Sequence, residues 1–245
     1  MMNTKVAVVT GAAGGMGKAF VRKLIADGCR VAGFDISQDG LDDLGAELGS
    51  AFLGIRADLT DPDAVTASFA AVATAFGGLD ILVNNAGTCF MSEFPNIPAD
   101  EFKQQMALNF ETAFHCCQNA VPLMLERDGV KKIINISSNG AYNFDVFDPP
   151  PYRASKAALD TLTKDLARRY ATDKICVNSI APAMTETPLF GVLSDAVLAK
   201  AIAQMPHGHA MQPEQIAGWV GFLAGPMGDV SSGNVFILNQ GRDVR

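Results

Sequence analysis

The sequence predicts an α/β fold, a single domain built on a doubly wound, parallel, seven-stranded sheet. Three observations carry that reading. Short apolar runs alternate with longer stretches of helical periodicity. The runs are apolar throughout, not at every second residue. Neither a linker nor a repeat interrupts the alternation over 245 residues. Strands covered on both faces lose the polar side of the pleat, so continuous apolar runs mark a sheet sandwiched between helices.

Strand-like runs fall at 5–10 (KVAVVT), 30–35 (RVAGFD), 51–56, 79–84 (LDILVN), 131–137 (KKIINIS), 174–181 (KICVNSIA) and 233–239 (GNVFILN). Helical patterns at 15–27, 38–48, 61–76, 100–127, 152–172 and 212–224 lie between them. A strand that returns through a helix runs parallel to its predecessor. Residues 183–211 stand apart. They are rich in Met, Pro, Thr and Gly and hold one short helical stretch at 194–204. A connection of that length is expected to be a lid over a ligand.

Apolar residues at 49% and charged residues at 18% are the composition of a packed core, not of a disordered chain. A net charge of −7 argues against a nucleic-acid or anionic-membrane partner, since both need a basic face. The five cysteines (Cys29, Cys89, Cys116, Cys117, Cys176) show no CxxC or metal spacing and read as reduced thiols, which suggests the cytoplasm. KVAVV is too short for a secretory core, and no apolar run approaches the roughly 18 residues of a membrane span.

VVTGAAGGMGKAF, residues 8–20, joins the first strand to the first helix. It is not a nucleoside-triphosphate loop: Ala12 stands where the first glycine belongs, and Ala19 where a magnesium-binding hydroxyl belongs. The pattern that fits is TGxxxGxG. Gly11 makes the tight turn, while Gly15, Met16 and Gly17 bring backbone and helix N-terminus against a pyrophosphate. Alone, the stretch is equally a tight strand–helix turn. The second strand ends at Asp35, whose carboxylate can accept from both adenosine ribose hydroxyls and would repel a 2′-phosphate. Ile36, Ser37 and Gln38 follow, and position 14 is Gly, so no cation is close in sequence and NAD is favoured over NADP. A strand-terminal Asp can also be only a helix cap.

Tyr152 and Lys156 in PPPYRASKAAL share one helical face at i,i+4. A phenol titrates near 10 unperturbed; a nearby ammonium and the helix N-terminus are expected to favour the phenolate, a positive nicotinamide would add to this, and lowering the pKa by about three units needs roughly 4 kcal/mol of differential stabilisation from the two cations. The bland alternative is a half-exposed tyrosine beside a solvated lysine. Pro149–Pro151 give that helix an extended entry. Ser138, in INISSNG, stands at a strand carboxyl end, where side chains face the ligand crevice. LVNNAG, with Asn85, Ala86 and Gly87, allows close backbone approach to a ligand, and Asn109 inside a helical pattern demands a partner.

TGxxxGxG, Asp58 in ADLTD, NNAG, Asn109, NISS and YxASK, in that order along essentially the whole chain, resemble a short-chain dehydrogenase/reductase of the single-domain branch. The resemblance implies a Rossmann-type sheet of strand order 3-2-1-4-5-6-7. It implies Tyr152 as general acid/base, Lys156 as modulator of its pKa and holder of the nicotinamide ribose, Ser138 as orienter of the substrate oxygen and Asn109 as holder of a water. Asp58 and Leu59 would contact the adenine, Asn85–Gly87 the adenosine side, and Pro182, Thr185 and Thr187 the nicotinamide end. The reaction expected is reversible hydride transfer between NAD and a secondary alcohol or ketone, with an apolar substrate, in a homo-dimer or homo-tetramer. Two rivals remain: an NADPH-linked 3-oxoacyl thioester reductase and a dinucleotide sensor without catalysis.

Three departures from the family pattern stand out. Pro182-Ala183 replaces the usual PG, and Asn239-Gln240-Gly241 the usual DGG. Ser138 precedes Tyr152 by one residue more than is typical, leaving Ser137 as an alternative. Tyr142, Phe144, Phe147, Met184, Phe190 and Met205 are expected to contribute to an apolar pocket. Asp145 and Asp148 are expected to be exposed, the alternative being recognition of a cationic substrate group. No metal is expected at His207 and His209, nor any role beyond packing for His115, Cys116 and Cys117.

Overall fold

In the computed structural model, which describes residues 4–143 and 148–243, the strands β1 (Val6–Thr10), β2 (Arg30–Asp35), β3 (Phe52–Arg56), β4 (Ile81–Asn84), β5 (Lys131–Ile136), β6 (Ile175–Pro182) and β7 (Val235–Leu238) form one sheet. Every neighbouring pair is parallel, in the order β3-β2-β1-β4-β5-β6-β7. The chain runs outward from β1 to β3, then crosses back to β4. A crevice therefore opens above the carboxyl ends of β1 and β4, the switch point of a doubly wound sheet.

Successive side chains of a strand point to opposite faces. Ala7 and Val9 of β1 accordingly enter one apolar layer and Val6 and Val8 the other. The first layer packs α1 (Gly15–Ala26), α2 (Gln38–Leu48) and, further along the chain, the last helix through Phe20, Leu24, Leu41, Ile216 and Val220. The second packs α3 (Pro62–Phe76) and the helix after β4 through Val65, Phe69, Cys116 and Met124. Phe34 and Phe69 meet edge to face with centroids 5.2 Å apart. Each such side chain contributes about 1.5–3 kcal/mol on burial. The expected helical stretch at 100–127 is divided. α4 (Ala99–Met106) and α5 (Thr112–Leu125) flank a π-helical turn at Ala107–Glu111. That wider turn points Asn109 inward, a use for which such turns are often retained.

α6 (Pro150–Arg169) begins as its prolines dictate. Pro149 is the extended N-cap, Pro150 and Pro151 fill the first two positions, and Tyr152 is third. Beyond β6, residues 183–211 carry α7 (Asp195–Ala203) and lead to α8 (Pro213–Ala224). The two ends of that segment are tied together. Thr185 bridges Met211 in parallel, the Glu186 N–H donates to the Met211 carbonyl (2.8 Å), and the Met211 N–H donates to the Met184 carbonyl (2.9 Å). Among the described residues no helix is long and apolar enough to cross a membrane.

Candidate active site

The glycine turn is fixed by backbone crowding. Gly11 has φ +62°, a conformation that disfavours a side chain. A Cβ at Gly17 would stand 2.0 Å from the Gly11 carbonyl oxygen, and one at Gly15 would stand 2.7 Å from Cδ of Pro188. No side chain caps α1 and no acid occupies its first turn, so its leading N–H groups face the crevice. This cradle fits the pyrophosphate of a dinucleotide. The Thr10 hydroxyl accepts the N–H groups of Asn85 (2.9 Å) and Ala86 (3.0 Å). The Asn85 amide donates back to the carbonyls of Thr10 (3.0 Å) and Gly11 (3.1 Å), lacing the ends of β1 and β4 together. Met16 reaches from the first turn of α1 into the cavity described below.

Asp35 ends β2 and accepts the N–H of Ala13 (2.9 Å) and of Ser37 (3.0 Å), one on each oxygen. Each oxygen keeps a further acceptor site. Arg56, in register with Asp35 across β2 and β3, donates from Nε to the Ile36 carbonyl (3.2 Å). This cation beside the end of β2 escaped the sequence reading because it is remote in sequence; only strand pairing brings it there. Asp58 is exposed and folds onto its own turn, accepting the N–H (3.0 Å) and hydroxyl (2.7 Å) of Thr60; those bonds hold its pKa below the ordinary value. The Leu59 side chain is buried in the second apolar layer.

Ser138, Tyr152 and Lys156 converge. Tyr152 and Ser138 line the same cavity, and the Ser138 hydroxyl, which acts to lower the phenol's pKa, accepts the Gly140 N–H (3.0 Å). Lys156 Nζ is buried, 6.0 Å from the Tyr152 ring centroid, and donates to the Ile136 carbonyl (2.8 Å). Ser137 is turned beneath α6, its hydroxyl donating to Asp160 Oδ2 (2.9 Å), which leaves Ser138 as the serine facing the phenol. Asn109 is 1% exposed and fully engaged. Its Oδ1 accepts the Thr88 N–H (2.8 Å), and its Nδ2 donates to the Thr88 carbonyl (2.9 Å) and to Ser155 (3.1 Å). Gln105, which the sequence reading did not single out, holds the same loop through the Thr88 carbonyl (2.7 Å) and the Phe90 N–H (2.9 Å). Its place one turn before Asn109 was the available signal.

The expected lowering of the Tyr152 pKa is corrected. The chain's own groups push it upward: burial is the largest cause, the Asp148 carboxylate adds to it, and the Ser138 hydroxyl opposes it. Lys156 does not offset this. Its ammonium donates one N–H to the Ile136 carbonyl and is itself pushed down to about 8 by burial. Asp148 is a second correction. It is withdrawn from solvent into the cavity wall, and burial raises its pKa against the pull of Arg153 and Arg242.

These groups surround a cavity of about 140 Å³. Pro182, Thr185 and Thr187 line one side, with Met184, Phe190 and Leu193 from the same connection. Cys89 and Met91, from the loop after β4, close another side and were not foreseen. Of the apolar set expected here, Met205 lies in the core and the Tyr142 hydroxyl donates to Asp160 (2.8 Å). Phe144, Asp145 and Phe147 lie outside the described residues. His207 and His209 stand with ring centroids 6.2 Å apart, His115 is half-buried beside Gln118, and all five cysteines are buried and free.

Two departures from the family pattern have local explanations. The Ala183 N–H continues the ladder to the Leu238 carbonyl (2.8 Å) with no positive φ, so no glycine is needed. Asn239 accepts the Gly241 N–H (3.1 Å) and donates to the Asp243 carbonyl (3.1 Å). The Asp243 carboxylate in turn accepts from Asn139 (2.8 Å) and Asn143 (2.9 Å). The tail after β7 is thereby folded against the loop after β5, and Arg242 is delivered to the cavity wall.

Residues 5–197 match the family model for short chain dehydrogenases. The chain is 36% identical over 247 residues to a 3alpha-hydroxysteroid dehydrogenase of Mediterraneibacter gnavus, covering 98% of this chain and 97% of that one. It is 33% identical over 238 residues to a 3-oxoacyl-[acyl-carrier-protein] reductase of Vibrio cholerae, covering 97% and 96%. A 3-ketoacyl-(acyl-carrier-protein) reductase from Brucella melitensis, solved in complex with NADH, superposes with a TM-score of 0.92 at 26% identity over the whole of both chains. Sheet order, glycine cradle, Ser-Tyr-Lys convergence and these matches agree: the chain belongs to the short-chain dehydrogenase/reductase family, oxidoreductases that act on alcohols and ketones with a nicotinamide dinucleotide.

Proposed function

We propose that this protein is an NAD-linked dehydrogenase of a compact secondary alcohol, or reductase of the matching ketone, with Tyr152 as its acid/base. The observation that carries the reading is the convergence of Ser138 and Tyr152 on the wall of one largely apolar cavity, with Lys156 Nζ buried beside the Tyr152 ring. A bound dinucleotide supplies or takes up the hydride. In oxidation the Tyr152 oxygen takes the alcohol proton; in reduction it returns one to the carbonyl oxygen. The Ser138 hydroxyl donates to that same oxygen in both directions. Lys156 keeps two N–H donors beyond its bond to Ile136, enough for two ribose hydroxyls. Asn109 acts as a positioning residue for the loop 85–88. Met184, Phe190 and Leu193 on the 183–211 segment exclude water, which makes that segment the lid.

The carboxylate of Asp35, fixed beside the glycine turn, supports NAD over NADP. A second reading has its own support: Arg56 lies beside the same strand end, and one relative is named a 3-oxoacyl-[acyl-carrier-protein] reductase, so NADPH-linked thioester reduction is the rival. Exposed Phe102 and Phe114 on α4 and α5, and Trp219 and Phe222 on α8, support assembly as a homo-dimer or homo-tetramer. Five free thiols support a cytoplasmic site. The test is consumption of NADH and NADPH with a panel of ketones and 3-oxoacyl thioesters. Faster turnover with NADH and a compact ketone is expected. A preference for NADPH overturns the cofactor reading, and no turnover on any substrate overturns the enzymatic one.

A further inference from the structure

Among the described residues that line the cavity, Arg242 is the cation. Its side chain is 9% exposed, yet its guanidinium makes one hydrogen bond among the described residues, from Nη2 to Gln204 Oε1 just beyond α7 (2.8 Å). Its Nε lies 3.8 Å from Asp243 Oδ2, an ion pair beyond hydrogen-bond length. That carboxylate is already committed to Asn139 and Asn143. Asp148, an acid of the cavity wall, also attracts Arg242, though no hydrogen bond joins the two among the described residues. The cavity wall also carries Asn139 and Asn143, which are committed to Asp243, and the apolar side chains of Met91, Met184, Phe190 and Leu193.

A guanidinium held in such a wall with N–H donors unspent carries a desolvation cost, which an anion entering the cavity offsets. Its planar fork matches a carboxylate with two parallel bonds, as an ammonium would not. The phenol of Tyr152 and the hydroxyl of Ser138 open into the same small space, so one compact molecule spans both ends. We propose that Arg242 is a substrate-anchoring residue, and that the substrate is a short hydroxy acid, or the oxo acid formed from it, whose carboxylate the guanidinium grips. This rests on the reading of the cavity as an alcohol/ketone site and names the substrate class. No new chemical step is involved; the anchored acid presents its alcohol carbon to the established reaction.

The experiment compares wild type, Arg242→Lys and Arg242→Met on matched pairs, acetoacetate against methyl acetoacetate and levulinate against methyl levulinate. Wild type is expected to favour at least one acid over its ester by roughly 30-fold or more in kcat/KM. Arg242→Met is expected to lower that ratio at least tenfold, and Arg242→Lys to restore part of it. In parallel, the favoured acid is expected to raise the melting temperature of wild type and not of Arg242→Met. Esters turned over as well as acids by wild type, or a ratio unchanged in Arg242→Met, overturn the proposal. Turnover confined to other ketones also overturns it while leaving the proposed function standing. If no ketone reacts, the enzymatic reading fails, and the melting experiment still decides whether Arg242 binds the acid.

Discussion

Asn109 and Ser155 are joined by a hydrogen bond of 3.1 Å, and the Ser155 hydroxyl donates onward to the Tyr152 carbonyl at 2.7 Å. The π-helical turn is thus coupled to the first turn of α6, on which the phenol stands. Asn109→Ala leaves the half-buried Thr88 N–H without its acceptor, while Gln105 still donates to the Thr88 carbonyl. The expected cost is roughly 1–3 kcal/mol, together with a fall in kcat as the loop 85–88 loosens. Chemical denaturation checks the first; an unchanged midpoint shows that the amide is not holding the loop.

Tyr152→Phe removes the oxygen and leaves the ring. Turnover is expected to fall by roughly 10²–10⁴-fold, the usual worth of a positioned acid/base. The glycine cradle is untouched by this change, so NADH titration followed by fluorescence should give a near-native affinity. Near-normal turnover would contradict the assignment.

Asp35→Asn removes the charge and retains one acceptor oxygen. The preference for NADH over NADPH in kcat/KM is expected to drop about tenfold, the worth of about 1.4 kcal/mol, because Arg56 then faces a 2′-phosphate with no opposing carboxylate. A ratio that does not move assigns coenzyme choice elsewhere.

Burial pushes Lys156 down to about 8 in the fold, from an ordinary value of 10.5. Between those values the unfolded chain holds a proton that the folded chain has released, so this group adds stability as pH rises from 8 towards 10.5. Below 8 its buried charge exerts its full destabilising effect. The buried thiols of Cys116 and Cys117, whose pKa burial raises, move stability the other way over the same range. The readout is therefore a difference: Lys156→Met should be more stable than wild type at pH 7, with the gap closing towards pH 10. A gap constant with pH would show that the ammonium is not desolvated.

The strands were legible because a sheet covered on both faces needs continuous apolar runs, and each expected run coincides with a strand, with ends differing by two residues at most. The glycine turn and the Tyr152–Lys156 pair were legible because their geometry is local, within one turn and one helix face. What escaped was non-local. Arg56 reaches Asp35 only through strand pairing, and Arg242 reaches the cavity only because the tail folds back on Asn139 and Asn143. The π-helical turn escaped for another reason: its apolar pattern is that of an ordinary helix, and the partner of its Asn109, Thr88, belongs to a different loop. The direction of the Tyr152 pKa was misjudged because spacing along a helix reports shared faces and not what an ammonium is already bonded to.

The parallel bridge between Thr185 and Met211 gives the stretch between them a closed base. A segment cinched at its neck can be exchanged for another of different length while the neck stays shut, since loop closure costs little more as a loop grows. Transplanting a foreign stretch between 186 and 210 is then a rational route to new substrates, with the sheet, the glycine turn and the phenol left as inherited.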